Sequence, residues 1–219
     1  MDPSLLVLPA GATLAAWTFA VPLLALAISR VRWRELAAGP VARVWPAALA
    51  ALVALWSLRG SVEPGFAFHL SGSAALALMT GPALALAGGA VVVALASALA
   101  GAPWANAAAT WLVVVVVPVA TLGAVLRAAE RRLPAHFLVY VFVVAFFGAG
   151  LAYVAAGAAG LSLLVAATDV PAALAFGEYL ILLVTLAFGE AMLTGMALAL
   201  AVVYRPAWVA TFDPARYLR

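Results

Sequence analysis

The chain has neither cysteine nor lysine among its 219 residues, and only 9% of them are charged. Without cysteine there is no disulfide, no thiolate metal site and no thiol chemistry. Without lysine there is no Schiff-base pocket and no amine nucleophile. The scarcity of charge accompanies 68% hydrophobic residues, whereas soluble domains carry about 45–50% apolar and about 25% charged residues. Lipid, not water, is the expected solvent. No polar stretch is long enough for a second domain, so residues 1–219 read as a single integral membrane domain. At roughly 20 residues per helical span, six to eight spans fit.

The formal charge of +3 comes from arginine. Ten of the eleven arginines form three clusters: Arg30/Arg32/Arg34/Arg43, Arg127/Arg131/Arg132 and Arg205/Arg216/Arg219. Arg59 stands apart. Short loops rich in arginine mark the cytoplasmic face, and the basic groups are not interleaved with exposed aromatics as a nucleic-acid surface requires. Residues 1–29 contain one charge, Asp2, and lack the basic start of a cleaved signal. They are expected to form a retained first span.

The apolar runs predict spans over about 5–29, 44–58, 66–81, 83–100 and 107–126, then one starting near Phe137 and one ending near Tyr204. Span three is short because Gly81-Pro82 stops it, and Pro118 lies inside span five. The last two runs are long enough to tilt, break or project, and Gly148, Gly150, Gly157 and Gly160 suggest a break in the sixth. Seven alternating spans bring every arginine cluster to one side, whereas six would split them. The fold class is therefore an all-α membrane protein with seven transmembrane helices, its N-terminus outside and its C-terminus cytoplasmic, multi-pass in the cell inner (plasma) membrane.

A charge at mid-bilayer costs about 2.5–3.5 kcal/mol on insertion scales, so ionisable residues within spans need a partner or a task. Glu190 is central to span seven, on a small and polar stripe with Ala187, Ala191, Thr194, Ala197 and Ala201, and is expected to face the bundle interior. His69 opens span three on a stripe with Ser73, Ala77 and Thr80. Asn106 opens span five, with Thr110 one turn inward, and Glu178 lies near the outer end of span seven. One imidazole with several oxygens near an external mouth suits cation capture, though the same residues also suit helix–helix hydrogen bonding. Asp169 is expected to cap span seven, Asp2 and Glu63 to be solvated, and His136 to be interfacial.

The segment HLSGSAALALMTGPALALAGGAVVVAL (His69–Leu95), the WAN stretch Trp104–Asn106 and LAFGEAMLTGMALALAVVYRP around Glu190 together resemble the cobalt/nickel membrane-subunit family CbiM/NikM. The likeness spans roughly residues 66–205. It implies a substrate-binding component of an energy-coupling factor (ECF) transporter, working with a transmembrane coupling protein and cytoplasmic ATPases. It also implies that His69 is a metal ligand. In the family's metal-binding members a histidine directly after the initiator methionine supplies another; here Asp2 occupies that place.

These readings converge on a substrate-binding subunit that captures a divalent transition metal ion as substrate. His69 is the principal ligand, with Asn106, Glu190 and Glu178 around it, and no resident cofactor is required. His69 and Glu190 should converge on a polar hollow open to the exterior. ATP hydrolysis falls to partners, since the chain has no glycine-rich phosphate loop. A structural or assembly subunit without its own ligand is the main alternative. An intramembrane enzyme using His69 with a carboxylate is a further one, although HExxH and GxSxG patterns are missing.

Overall fold

The computed structural model describes the backbone of residues 2–6, 8–62 and 66–218; the side chains of Glu35, Ala37, Ala38, Ser61, Val62, Phe66, Leu174 and Glu178 are not described. It is helical throughout apart from one small hairpin. The order is α1 (Ala10–Arg30), α2 (Trp33–Ala38), α3 (Val41–Ser57), β1 (Gly60–Val62), β2 (Phe66–Phe68), α4 (Ser73–Thr80) and α5 (Pro82–Leu99). Then come α6 (Ala107–Trp111), α7 (Val117–Arg132), α8 (Gly148–Ala167), α9 (Ala172–Tyr204) and α10 (Pro214–Tyr217).

Among the described residues, five helical stretches are long and apolar enough to cross a bilayer: Ala10–Arg30, Pro82–Leu99, Trp104–Arg132, Val139–Ala167 and Ala175–Tyr204. Helix α3 is apolar but has only 17 residues. Helix α9, at 33 residues, would run about 50 Å at 1.5 Å per residue, well beyond a hydrocarbon core of about 30 Å.

Two expectations about continuity fail. The sixth span does not break at its glycines. It runs unbroken from Val139 to Ala167, with π geometry over Val139–Phe147. The glycines instead admit neighbours: Gly150 approaches Ala187 and Ala191, and Gly157 approaches Leu183. Small residues at such positions let backbones pack closely where lipid supplies no hydrophobic drive between helices.

The third span is not a continuous helix. Residues Phe66–Phe68 form β2, antiparallel to β1 with Gly60 opposite Phe68, and only Ser73–Thr80 are helical. The cause is local. Gly72 adopts φ +63, a left-handed conformation that side-chain-bearing residues rarely take, and a Cβ there would collide with Leu52. His69 therefore sits on an extended loop, not on a helical stripe with Ser73.

Proline shapes the neighbouring helix. Pro118 has no N–H for the Val114 carbonyl four residues earlier, and the helix answers with a π stretch over Leu112–Val116. The Val114 carbonyl accepts instead from the hydroxyls of Ser71 (3.0 Å) and Ser73 (2.8 Å). A prolyl defect in one helix thereby anchors the start of another.

Candidate metal-capture site

The N-terminal segment reaches His69 because the hairpin accepts one more extended residue. The Asp2 N–H donates to the Ala67 carbonyl at 2.8 Å, and the Ala67 N–H returns a bond to Asp2 at 3.2 Å. A short 3-10 turn, Pro3–Leu5, follows. The Asn106 amide nitrogen spans this turn, 2.6 Å from the Leu6 carbonyl, 3.0 Å from Ser4 and 3.4 Å from Pro3. Asn106 thus holds the segment that carries Asp2.

Asp2 is 3% exposed and so is His69. The expectation of a solvated Asp2 is overturned, since the added strand pairing carries it into the protein. Its two oxygens accept from the Ser4 N–H and hydroxyl, both at 2.8 Å, and the Thr110 hydroxyl lies 3.3 Å away. Burial alone would lift the carboxyl, but the His69 ring and the Ser4 donors outweigh it and hold it below the usual carboxylate range.

The His69 ring is fixed on several sides. Its Nδ1 lies 2.9 Å from the Leu70 carbonyl, which only accepts, so Nδ1 carries a hydrogen and Nε2 is the nitrogen left to face Asp2. Trp56 lies against the imidazole with centroids 4.7 Å apart and donates its indole N–H to the Ser71 carbonyl at 2.9 Å. The Tyr153 hydroxyl donates to the His69 carbonyl at 2.8 Å. Nε2 is buried without a hydrogen bond, although Asp2 Oδ2 is 3.4 Å away. That separation is within ion-pair range yet lacks hydrogen-bond geometry. The ring nitrogen and the carboxylate therefore face each other inside the protein.

Glu190 is 1% exposed and faces the interior, as its stripe implies. Its partners are backbone: Oε2 accepts from the Ser71 N–H at 2.8 Å and Oε1 from the Gly72 N–H at 2.7 Å. It serves as a remote cap for α4, satisfying amides that have no partner at a helix start. Glu190 and His69 are thus brought to one loop, but the ring faces Asp2 and the carboxylate faces the backbone. They do not meet across an open hollow. The Glu178 and Glu63 side chains lie outside the described residues. Asp169 is exposed and does not cap α9, whose cap position is Pro171 with no side-chain bond. His136 lies near the surface, its Nδ1 accepting from the Leu138 N–H at 3.1 Å.

Among the described residues no three His, Cys, Asp or Glu side chains cluster as a metal cage. The His69–Asp2 pair brings one imidazole nitrogen and one carboxylate within 3.4 Å of each other. Two ligands about 2.1 Å from one metal stand about 3.4 Å apart at the tetrahedral angle and about 3.0 Å apart at a right angle. The observed 3.4 Å matches the former.

Residues 6–208 match the family CbiM, described as the cobalt uptake substrate-specific transmembrane region. The chain belongs to the CbiM family. Comparison with curated proteins gives no match. As a CbiM-family chain it is a multi-pass membrane component of cobalt uptake, and the family is one of transporters, not of enzymes. Asp2 lies just before the matched region, and the segment from Val209 onward lies after it.

Trp56, Tyr153 and Ser4 complete the site, with Thr110 as expected beside Asn106, but the first three come without a warning in the sequence. Their only signal is polarity or an indole near a span end, which interfacial anchoring explains equally well.

Proposed function

We propose that this chain is the substrate-binding subunit of an ECF-type transporter and captures cobalt or nickel between His69 Nε2 and the Asp2 carboxylate at its outer face. In this reading α3 and the β2–α4 segment complete seven passes, and the arginine clusters face the cytoplasm, where a coupling protein and ATPases dock. The observation that carries it is a buried ring nitrogen, without a hydrogen bond, 3.4 Å from a buried carboxylate. A metal cation between them would neutralise the carboxylate, and desolvation would strengthen the attraction. Asn106 holds the N-terminal turn and Glu190 holds the His69–Gly72 loop, so both act on the geometry without touching the metal. Remaining coordination positions fall to backbone groups or water.

Metal binding needs an unprotonated Nε2, so affinity falls as pH is lowered and protons are released on binding. Isothermal titration of the purified protein with cobalt and nickel chloride tests this. Saturable binding that His69→Ala abolishes is expected. Absence of saturable heat, or identical binding by His69→Ala, rejects the reading.

A further inference from the structure

The end of α4 remote from His69 is completed by a segment far along the chain. The Leu78 carbonyl would normally pair with the N–H of residue 82, but that residue is Pro82. Thr211 supplies what is missing, its N–H reaching the Leu78 carbonyl at 3.2 Å and its hydroxyl at 2.8 Å. The Ala210 N–H donates to the neighbouring Met79 carbonyl at 3.0 Å. Since the Thr211 hydroxyl hydrogen goes to Leu78, its oxygen accepts from the Tyr140 hydroxyl, 2.7 Å away.

The segment bearing Thr211 is itself well anchored. Phe212 and Tyr217 are buried and stack near Tyr140, with centroids 4.9 and 5.2 Å away. Arg216 binds the Glu130 carboxylate at 2.9 Å and its carbonyl at 3.3 Å. The anchorage therefore extends to the end of α7 and to the π stretch preceding α8.

Helix α4 has eight residues, about 12 Å at 1.5 Å per residue. One end is fixed by Thr211 and the other by Glu190. So short a helix moves as a unit, and a shift at one end carries to the other. We propose that Thr211 is a positioning residue for the His69–Gly72 loop: by supplying the donors that Pro82 withholds, it sets α4 and hence the loop that carries His69. The consequence for cobalt rests on the capture reading above. The mechanical link does not.

Hydrogen exchange on the full-length protein in lipid nanodiscs separates the two. Thr211→Val removes the hydroxyl but keeps the backbone N–H and the bulk, while Thr211→Ser retains the hydroxyl. Amides of Ser71–Ser73 are expected to exchange about fivefold faster in Thr211→Val, as for one lost hydrogen bond. Thr211→Ser should match the parent, and residues 150–164 of α8 should be unchanged in both. Acceleration confined to residues 78–83, or equal across the whole protein, overturns the proposal. In cobalt titrations Thr211→Val should bind several-fold more weakly and Thr211→Ser normally. Faster loop exchange with unaltered cobalt affinity removes the role in positioning the site. A parent that binds no cobalt rejects the capture reading, and the exchange comparison then decides the mechanical link alone.

Discussion

At the scale of single residues, the pairing of His69 with Asp2 determines the chemistry. Asp2→Asn keeps the shape and an acceptor for the Ser4 N–H but removes the charge. Cobalt affinity should fall by at least the roughly 10–100-fold that losing an outer-shell partner costs, as titration would show. The same carboxyl links stability to pH. Because its folded value lies below the unfolded one, its contribution is present above about pH 4 and is lost as pH falls through the lower folded value. Thermal unfolding of the metal-free protein at pH 6 and pH 3 should show a larger drop for the parent than for Asp2→Asn; equal drops would disprove it. The sequence singled out His69 and Glu190 because ionisable groups in a lipid-embedded chain are few and costly. Asp2 was expected to be solvated because a charge near a chain end usually is, and only pairing with Ala67 carries it inward. Such pairing across more than sixty residues leaves no local trace.

At the scale of elements, the helices α1, α3, α5, α7, α8 and α9 lie close to where apolar length placed them. The third predicted span is not one continuous helix, for a reason local to the sequence. Apolar content alone cannot tell a helix from a strand followed by a short helix, and the deciding residue, Gly72, is legible only as one glycine among seventeen. Its left-handed φ aims the Ser71 and Gly72 amides at Glu190. Gly72→Ala should strain the backbone and crowd Leu52, destabilising the protein by about 1–3 kcal/mol. A thermal melting point indistinguishable from the parent's would contradict this. The prolines were equally visible in sequence as helix breakers, but not their consequence. Pro82 and Pro118 each leave a carbonyl without its usual donor, and distant hydroxyls supply the bonds.

At the scale of the whole molecule, arginine placement organises the account. Glu130 and Arg216 join the end of α7 to the C-terminal segment. Arg30 and Arg32 line one cavity with Gly81 and Pro82, so the clusters gather at the end of the bundle opposite the hairpin. The absence of native cysteine makes orientation directly measurable. Arg59→Cys should react with a membrane-impermeant maleimide on intact cells, and Arg132→Cys only after permeabilisation; the reverse would overturn the proposed topology. Membrane residence and family were legible from composition and three sequence stretches, whereas the closure of the site by an incoming N-terminal strand was not. The central claim is that one imidazole and one carboxylate hold the cargo metal. X-ray absorption at the cobalt edge of the loaded full-length protein tests it most directly. The account predicts a first shell with one imidazole nitrogen and oxygen donors, with the imidazole signal lost in His69→Ala. A shell without imidazole scattering, or one unchanged by that substitution, would contradict it.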